Sequence, residues 1–483
     1  VNNTPSFFWF DYETFGTQAA WDRPCQFAGI RTDENLRVIG DPLVIYCRQS
    51  DDYLPHPAAA RVTGITPQLT NKEGLPEAAF IDRIRREMTY PGTCSVGYNN
   101  IRFDDEFTRH TLFRNLFDAY EQEWKEGCSR WDLLDVVRLT RALRPDGIRW
   151  PINDDGSTNN RLEQLSAANG IEHTQAHDAM SDVWATLGMA RLIREKQPRL
   201  FTYAFEQRGK RAVAEILNTK QRRASLQVSG MIPAARHHIG AVLPLCRHPK
   251  NSNGIIVLDL DQDSSYLASL TTDEIASRLF QKAEAEPRHS RPGLRTVHLN
   301  KCPVIVPFTT LGKDDADRLN IDVSTLKNRE EAVSEWLDDQ TLKNIVNAMA
   351  PEWASDEKKD VDGTLYSGNF FSQEDKTRLA AIKKADPLEL TISSHGQHFD
   401  DSRLNTLFFR YLARNFPSQL SVEELESWQE YCREKLTTPG KEWLDFNTYE
   451  ELLEDNTSWQ ESEEPLREAL RTHGRELYSR LGL

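Results

Sequence analysis

The chain has 483 residues, 39% of them hydrophobic and 28% charged, with a formal net charge of −15. That length predicts about three domains, taking roughly 150 residues for each, in the soluble globular class. No apolar run reaches the length of a membrane span, no basic segment leads into an apolar one as in a signal peptide, and the acidity disfavours a nucleic-acid partner at first sight.

The aromatic run at residues 7–10 predicts a buried strand, and the segments 26–33 and 42–48 predict two more, an antiparallel three-strand start. Apolar spacing predicts a helix over 77–88. A short strand follows at 94–100, breaking at Gly97 and the Asn99-Asn100 pair. Helices are predicted over 105–117 and 133–143, and a turn-rich loop over 151–160. A short helix from Arg161 stops at Gly170, and a long one spans 177–197 ahead of Pro198. Strands first and helices packed over them imply an α/β layer. From about 225 to 310 short β-like runs appear (254–260, 296–300 and 303–308), which suggests a small β-rich domain. From about 373 onward the pattern is nearly all helical.

Charge is unevenly spread. Residues 199–250 hold ten Lys/Arg against two acids, and residues 421–483 hold sixteen acids against seven bases. A basic stretch of this kind is either a solvated face or a surface for a polyanion. The acidic helices at the end are read as a solvated face. The seven cysteines are scattered, with no CxxC pair, which argues against both a disulfide framework and a zinc site and makes a reducing cytoplasm the expected location. The His237-His238 pair is read as surface residues.

Three short stretches carry chemistry. Asp11 and Glu13 end the first strand, and side chains two apart on an extended strand share a face. Alone, such a pair is an ordinary solvent-facing strand end. Asp104 follows Phe103 where a strand gives way to a helix; an N-cap is the simple alternative there. His177 and Asp182 open the last long helix. Five residues apart on an ideal helix they would diverge by about 140°, and they converge more easily if His177 lies in the preceding loop. Together, four carboxylates and one histidine fall at strand ends and helix starts, where α/β folds gather site residues. Clustered carboxylates repel, and their uncompensated burial is costly. Hard divalent cations such as Mg²⁺ or Mn²⁺ resolve this. Two ions about 3.5–4 Å apart would clamp the attacking and leaving oxygens of a phosphodiester, with His177 as general base.

At these residues the chain resembles the DEDDh 3′→5′ exonucleases, which have the ribonuclease H-like fold. Asp11-Tyr12-Glu13 matches the first motif. Asn100 with Phe103-Asp104 matches the second, and the HDAMSD stretch at 177–182 matches the third. Thr63-Gly64-Ile65-Thr66 is similar to a further family feature, and so is the LEQLSAANGIEH lead-in at 162–173. The stretches 298–304, 368–372 and 414–417 extend the likeness to the bacterial exonuclease I branch of that family. The resemblance implies a ribonuclease H-like α/β exonuclease domain with a mixed sheet and flanking helices over 1–197. It implies an SH3-like β-rich domain over 198–350 and a helical C-terminal domain over 351–483. It implies a processive monomer that degrades single-stranded DNA from the 3′ end to 5′-mononucleotides, serves DNA repair and recombination, uses two Mg²⁺ ions (Mn²⁺ substituting) and docks the tail of single-strand DNA-binding protein. Asp11, Glu13, Asp104 and Asp182 would carry the metals and His177 would be the base. Glu13, Arg161, Arg109, Trp124, Arg138 and Arg144 match positions associated with the bound strand. An exoribonuclease of the same fold, or a binding scaffold with a dead site, are the rival readings. Only the 2′-OH separates the first rival, and filled catalytic positions weigh against the second.

Overall fold

The computed structural model describes residues 5–173, 178–281, 291–351, 360–386, 389–391, 399–455 and 457–483. His177 lies outside them. The chain divides into two compact units that do not follow it linearly: residues 1–130, 173–184 and 357–483 form one, and residues 131–172 and 185–356 the other.

The first unit is organised around strand β1 (Ser6–Thr14), which runs the whole length of the aromatic stretch and past both acids. It pairs antiparallel with β2 (Pro24–Asp33), and β2 pairs antiparallel with β3 (Leu43–Tyr46). On its other side it pairs in parallel with β4 (Thr93–Gly97), and β5 (Ser129–Asp132) completes the order β3-β2-β1-β4-β5. This is the mixed sheet that the resemblance implies. Alternation along β1 sorts its residues. Phe8, Phe10 and Tyr12 enter a core with Phe27, Phe80, Ile81, Ile84 and Leu112, while Asp11 and Glu13 belong to the other alternating set.

Helices α1 (Pro57–Thr63) and α2 (Pro67–Glu73) follow β3 and were not foreseen; each is one short stretch of seven residues, too brief for periodicity to register. Helix α3 (Glu77–Met88) lies where its apolar spacing places it, and α4 (Asp104–Arg114) starts directly after Phe103. Helices α5 (Leu133–Leu143) and α6 (Leu162–Asn169) follow β5. Gly170 ends α6 in the left-handed region at φ 66°, which glycine adopts without a Cβ penalty. Helix α7 (Ala179–Lys196) then begins two residues after His177.

The second unit contains an all-antiparallel sheet. Its strands are β6 (Ser225–Val228), β7 (Ile239–Arg247), β8 (Gly254–Asp259), β9 (Leu294–His298) and β10 (Val304–Pro307), in the order β10-β6-β7-β8-β9. The last three were legible as apolar runs. Central β7 contains Pro244, which cannot donate to a ladder, and a register shift between Pro244 and Cys246 accommodates it.

The C-terminal helices share a core with the first sheet. Phe15, Cys25, Tyr53 and Ile65 pack with Trp428, Cys432, Tyr449 and Leu470. Beside this core runs a buried ionic network. Asp52 accepts from Arg414 at 2.7 Å and from Lys435 at 3.0 Å, Arg23 lies 3.3 Å away, and Arg414 also pairs with Asp362. Burial alone would raise these carboxyls, but their arginine partners hold Asp52 and Asp362 well below the usual carboxylate range. Removing one partner from a buried pair strands a charge, at a cost of about 3–5 kcal/mol. Arg414→Met should therefore lower the urea midpoint of the transition that unfolds this unit, by a loss of that order. A loss below about 1 kcal/mol, the scale of an exposed pair, would show that the remaining cations suffice.

Candidate active site

The site forms where β1 ends. A register shift follows Glu13: Glu13 opposes Gln26, but Thr14 opposes Pro24. Such a bulge bends the strand and re-aims the side chain beside it. Ligand oxygens of Asp11, Glu13 and Asp182 lie within 4.8 Å of one another. Asp182 stands in the first turn of α7. Asp104 completes the acidic wall. The four carboxylates line one open cleft with Gly16, Val62, Thr63, Tyr98, Asn99 and Phe103. Thr63, from the TGIT stretch, is thereby part of the wall.

Asp104 is not the N-cap that its position allowed. It is the first residue of α4, and its side chain reaches across to accept the Tyr12 backbone N–H at 3.1 Å. This bond ties the start of α4 to the strand between Asp11 and Glu13. Asn100, wholly buried, supports the same corner. Its Oδ1 accepts from Gly97 N–H at 3.2 Å, and its Nδ2 donates to Asp105, which Arg130 holds in turn. Gly97 is required there, since a Cβ would lie 2.7 Å from the Asn100 Cβ.

Two features at this corner escaped the sequence. Gln26, opposite Glu13, accepts the Ala179 backbone N–H at 3.3 Å and reaches Asp178 at 3.5 Å, so it links the sheet to the start of α7. His173 bonds Asp182, Nε2 to Oδ1, at 2.6 Å. A polar residue inside a strand carries no signal of such a role. His173 closes the LEQLSAANGIEH lead-in without a motif of its own.

The remaining expected site residues fall into two groups. In the first unit Trp124 presents its ring, being 64% exposed. Arg109 is 3% exposed and held by Glu106 at 2.8 Å and Glu123 at 2.7 Å, with Tyr366 against it. In the second unit Arg138 pairs with Asp135 at 2.6 Å, Arg144 pairs with Asp315 at 3.0 Å, and Arg161 is exposed at the start of α6. Of the basic stretch, Arg199, Lys210, Arg211, Lys220, Arg222, Arg223, Arg247 and Lys250 are exposed, and Arg236 is paired with Asp259. His237 and His238 are half-buried rather than free surface residues; their ring pKa values are lowered by burial first. All seven cysteines are free thiols. Among the described residues no helix is long and apolar enough to cross a membrane.

Electrostatics single out the acidic wall. Burial first, then the charges of Asp104, Asp182 and Glu13, push Asp11 well above the usual carboxylate range. Burial, then Asp182 and Asp104, push Glu13 up to about 9. Like charges this close do not ionise together, so the cluster either keeps protons or takes up a cation. Three hard oxygen donors of this kind fit a divalent ion.

A mixed sheet with a carboxylate cluster at the end of its central strand fits the exonuclease class, and the family model described as Exonuclease matches residues 8–189. The models for the exonuclease I SH3-like domain and C-terminal domain match residues 208–348 and 359–476. The chain belongs to the exodeoxyribonuclease I family. It is 45% identical over 441 residues to exodeoxyribonuclease I of Haemophilus influenzae, covering 91% of this chain and 92% of that one. Its fold matches Escherichia coli exonuclease I in complex with a dA16 oligonucleotide at TM-score 0.93 and 41% identity, over 98% of this chain and 100% of that one. A zinc-bound form of the E. coli complex with single-stranded DNA matches at TM-score 0.91 and 40% identity, over 98% and 99%. The ExoI/SSB-Ct complex matches at TM-score 0.90 and 41% identity, again over 98% and 99%.

The raised carboxyls make a stability prediction. Between its ordinary value of 4.5 and about 9, Glu13 keeps a proton in the folded protein that the unfolded chain gives up. The folded state then binds more protons, so Glu13 makes the ion-free fold lose stability as pH rises through that window. Glu13→Gln removes the titration. In EDTA the variant should melt at a higher temperature than the wild type at pH 8, with the gap closing toward pH 4.5. An equal or lower melting temperature at pH 8 would contradict the assigned burial.

Proposed function

We propose that this chain is an exonuclease that removes nucleotides processively from the 3′ end of single-stranded DNA, releasing 5′-mononucleotides in the service of DNA repair and recombination. The observation that carries the proposal is the meeting of Asp11, Glu13 and Asp182 within 4.8 Å at the end of the central strand, in a chain that matches a relative over 91% of its length. We retain the division into a nuclease segment (1–197), an SH3-like segment (198–350) and a helical segment (351–483) as the functional plan.

Asp11, Glu13, Asp104 and Asp182 would hold the divalent cations, Mg²⁺ being the proposed ion and Mn²⁺ a substitute. Two such ions, when bound, would neutralise the carboxylates and supply stabilisation for charge on the attacking and leaving oxygens of the phosphodiester. The protein's own groups do the rest. The bulge after Glu13 and the Tyr12–Asp104 bond keep the ligand oxygens in place. His177 accepts the proton of the attacking water, a role worth typically about 10²–10⁴-fold. The exposed Trp124 ring stacks on a base without reading its identity, as single-strand binders do. Arg161 contacts the strand, and so do Arg138 and Arg144, whereas Arg109 acts by holding Glu106, Glu123 and Tyr366 in place. The exposed cations of 199–250 give a surface for the phosphate backbone or for the acidic tail of single-strand DNA-binding protein. The likeness to the oligonucleotide and SSB-Ct complexes supports both partners, and a monomer suffices for this plan.

Digestion of 5′-labelled single-stranded DNA, duplex DNA and RNA side by side with Mg²⁺ tests the substrate and polarity together. Only the first should shorten stepwise from its 3′ end; equal digestion of RNA would favour the exoribonuclease. Asp182→Ala should abolish cleavage with the fold retained, and His177→Ala should lower kcat by about 10²-fold or more with little change in strand binding.

Charge reversal at Lys210, Arg211, Arg222 and Arg223 should weaken strand binding and flatten its dependence on salt, because fewer counterions are released. Unchanged binding and slope would make the stretch a solvated face.

A further inference from the structure

We infer that His173 is the positioning residue of the cation site: it holds the Asp182 carboxylate in its ligating orientation, a role separate from the proton transfer proposed for His177. The inference rests on reading the acidic wall as a cation site.

The three clustered carboxylates are not held alike. Asp11 and Glu13 project from a strand that β2 pairs through both positions, β4 pairing with it as far as Trp9. Asp182 projects from the first turn of a helix and faces two like charges that repel it. The His173 imidazole is one of the groups that hold it against that repulsion. Its Nε2 lies 2.6 Å from Asp182 Oδ1, the imidazole is 6% exposed and the carboxylate 18%. A donor at this distance fixes the plane of the carboxylate. An ionised carboxylate offers about four lone-pair directions, so Asp182 accepts from His173 and still has lone pairs for a cation. Outer partners of this type order the ligand they bond, and losing one typically weakens metal binding.

The local chain is built to deliver the ring. Gly170 turns the chain out of α6 in a left-handed conformation. Ile171 then sits over Gly188 of α7 so closely that a Cβ at 188 would lie 2.5 Å from Ile171 Cγ2. This notch docks the segment on α7, and two residues later His173 meets the first turn of the same helix.

Mn²⁺ binding, followed by electron paramagnetic resonance on the full chain, separates the roles. His173→Ala should raise the Mn²⁺ Kd by about 10–100-fold, and His173→Gln, which restores an N–H donor, should recover most of that loss. His177→Ala should leave the Kd unchanged. Saturating Mn²⁺ should restore kcat in His173→Ala but not in His177→Ala. Wild-type Mn²⁺ affinity in His173→Ala would overturn the inference, and so would a kcat deficit that saturating Mn²⁺ does not restore. Asp182→Ala is the control for the site itself. If it also binds Mn²⁺ like the wild type, the cation-site reading fails; if it loses Mn²⁺ while His173→Ala does not, only the role of His173 fails.

Discussion

Repulsion among carboxylates is the constraint on which the rest of this structure depends. Asp11, Glu13, Asp104 and Asp182 face one cleft, and burial adds to their mutual repulsion. Left to itself such a cluster would spread apart. It is instead held by devices of several kinds: the paired strand β1, the bulge after Glu13, the Tyr12–Asp104 bond, the Gln26 link to α7 and the His173–Asp182 bond. The aromatic stretch before Asp11 belongs to this account. Phe8, Phe10 and Tyr12 bury one face of the strand, and that burial offsets the cost of placing acids on the other.

The same compensation appears in reverse in the ionic network near the C-terminal helices. There the carboxyls of Asp52 and Asp362 are more deeply buried than half-buried Asp11, yet their arginine and lysine partners hold them well below the usual carboxylate range. Asp11 and Glu13 sit instead among like charges that push them up, the kind of perturbation that gathers at functional sites.

Much of this was legible in the sequence where a local pattern carried it. Helices α3 and α5 fall at 77–88 and 133–143 because their apolar spacing is regular, and α6 ends at Gly170 because only that residue adopts the turn readily. The acids of the site were legible as motif positions at strand and helix ends. What was hidden depends on tertiary partners. Asp104 reads as a cap until the strand it bonds is placed beside it. Gln26 gains its role only from the register with Glu13, and His173 from a turn that brings it back to Asp182. Strand β7 was masked by Pro244, whose missing donor is absorbed by a bulge that only the paired sheet reveals. The resemblance places Arg109 among the strand-associated positions; its enclosure by Glu106, three residues earlier on the same helix, and by Glu123 is visible only in the fold.

The central claim is that the acidic wall holds protons that a divalent cation must displace. Calorimetric titration of the ion-free protein with Mn²⁺ at pH 7.5, repeated in buffers of differing ionisation enthalpy, measures that exchange directly. The account predicts proton release on binding, at least one proton for each protein, with the release abolished by substituting both Asp11→Asn and Glu13→Gln. Binding of Mn²⁺ by the wild type with no proton released would contradict it.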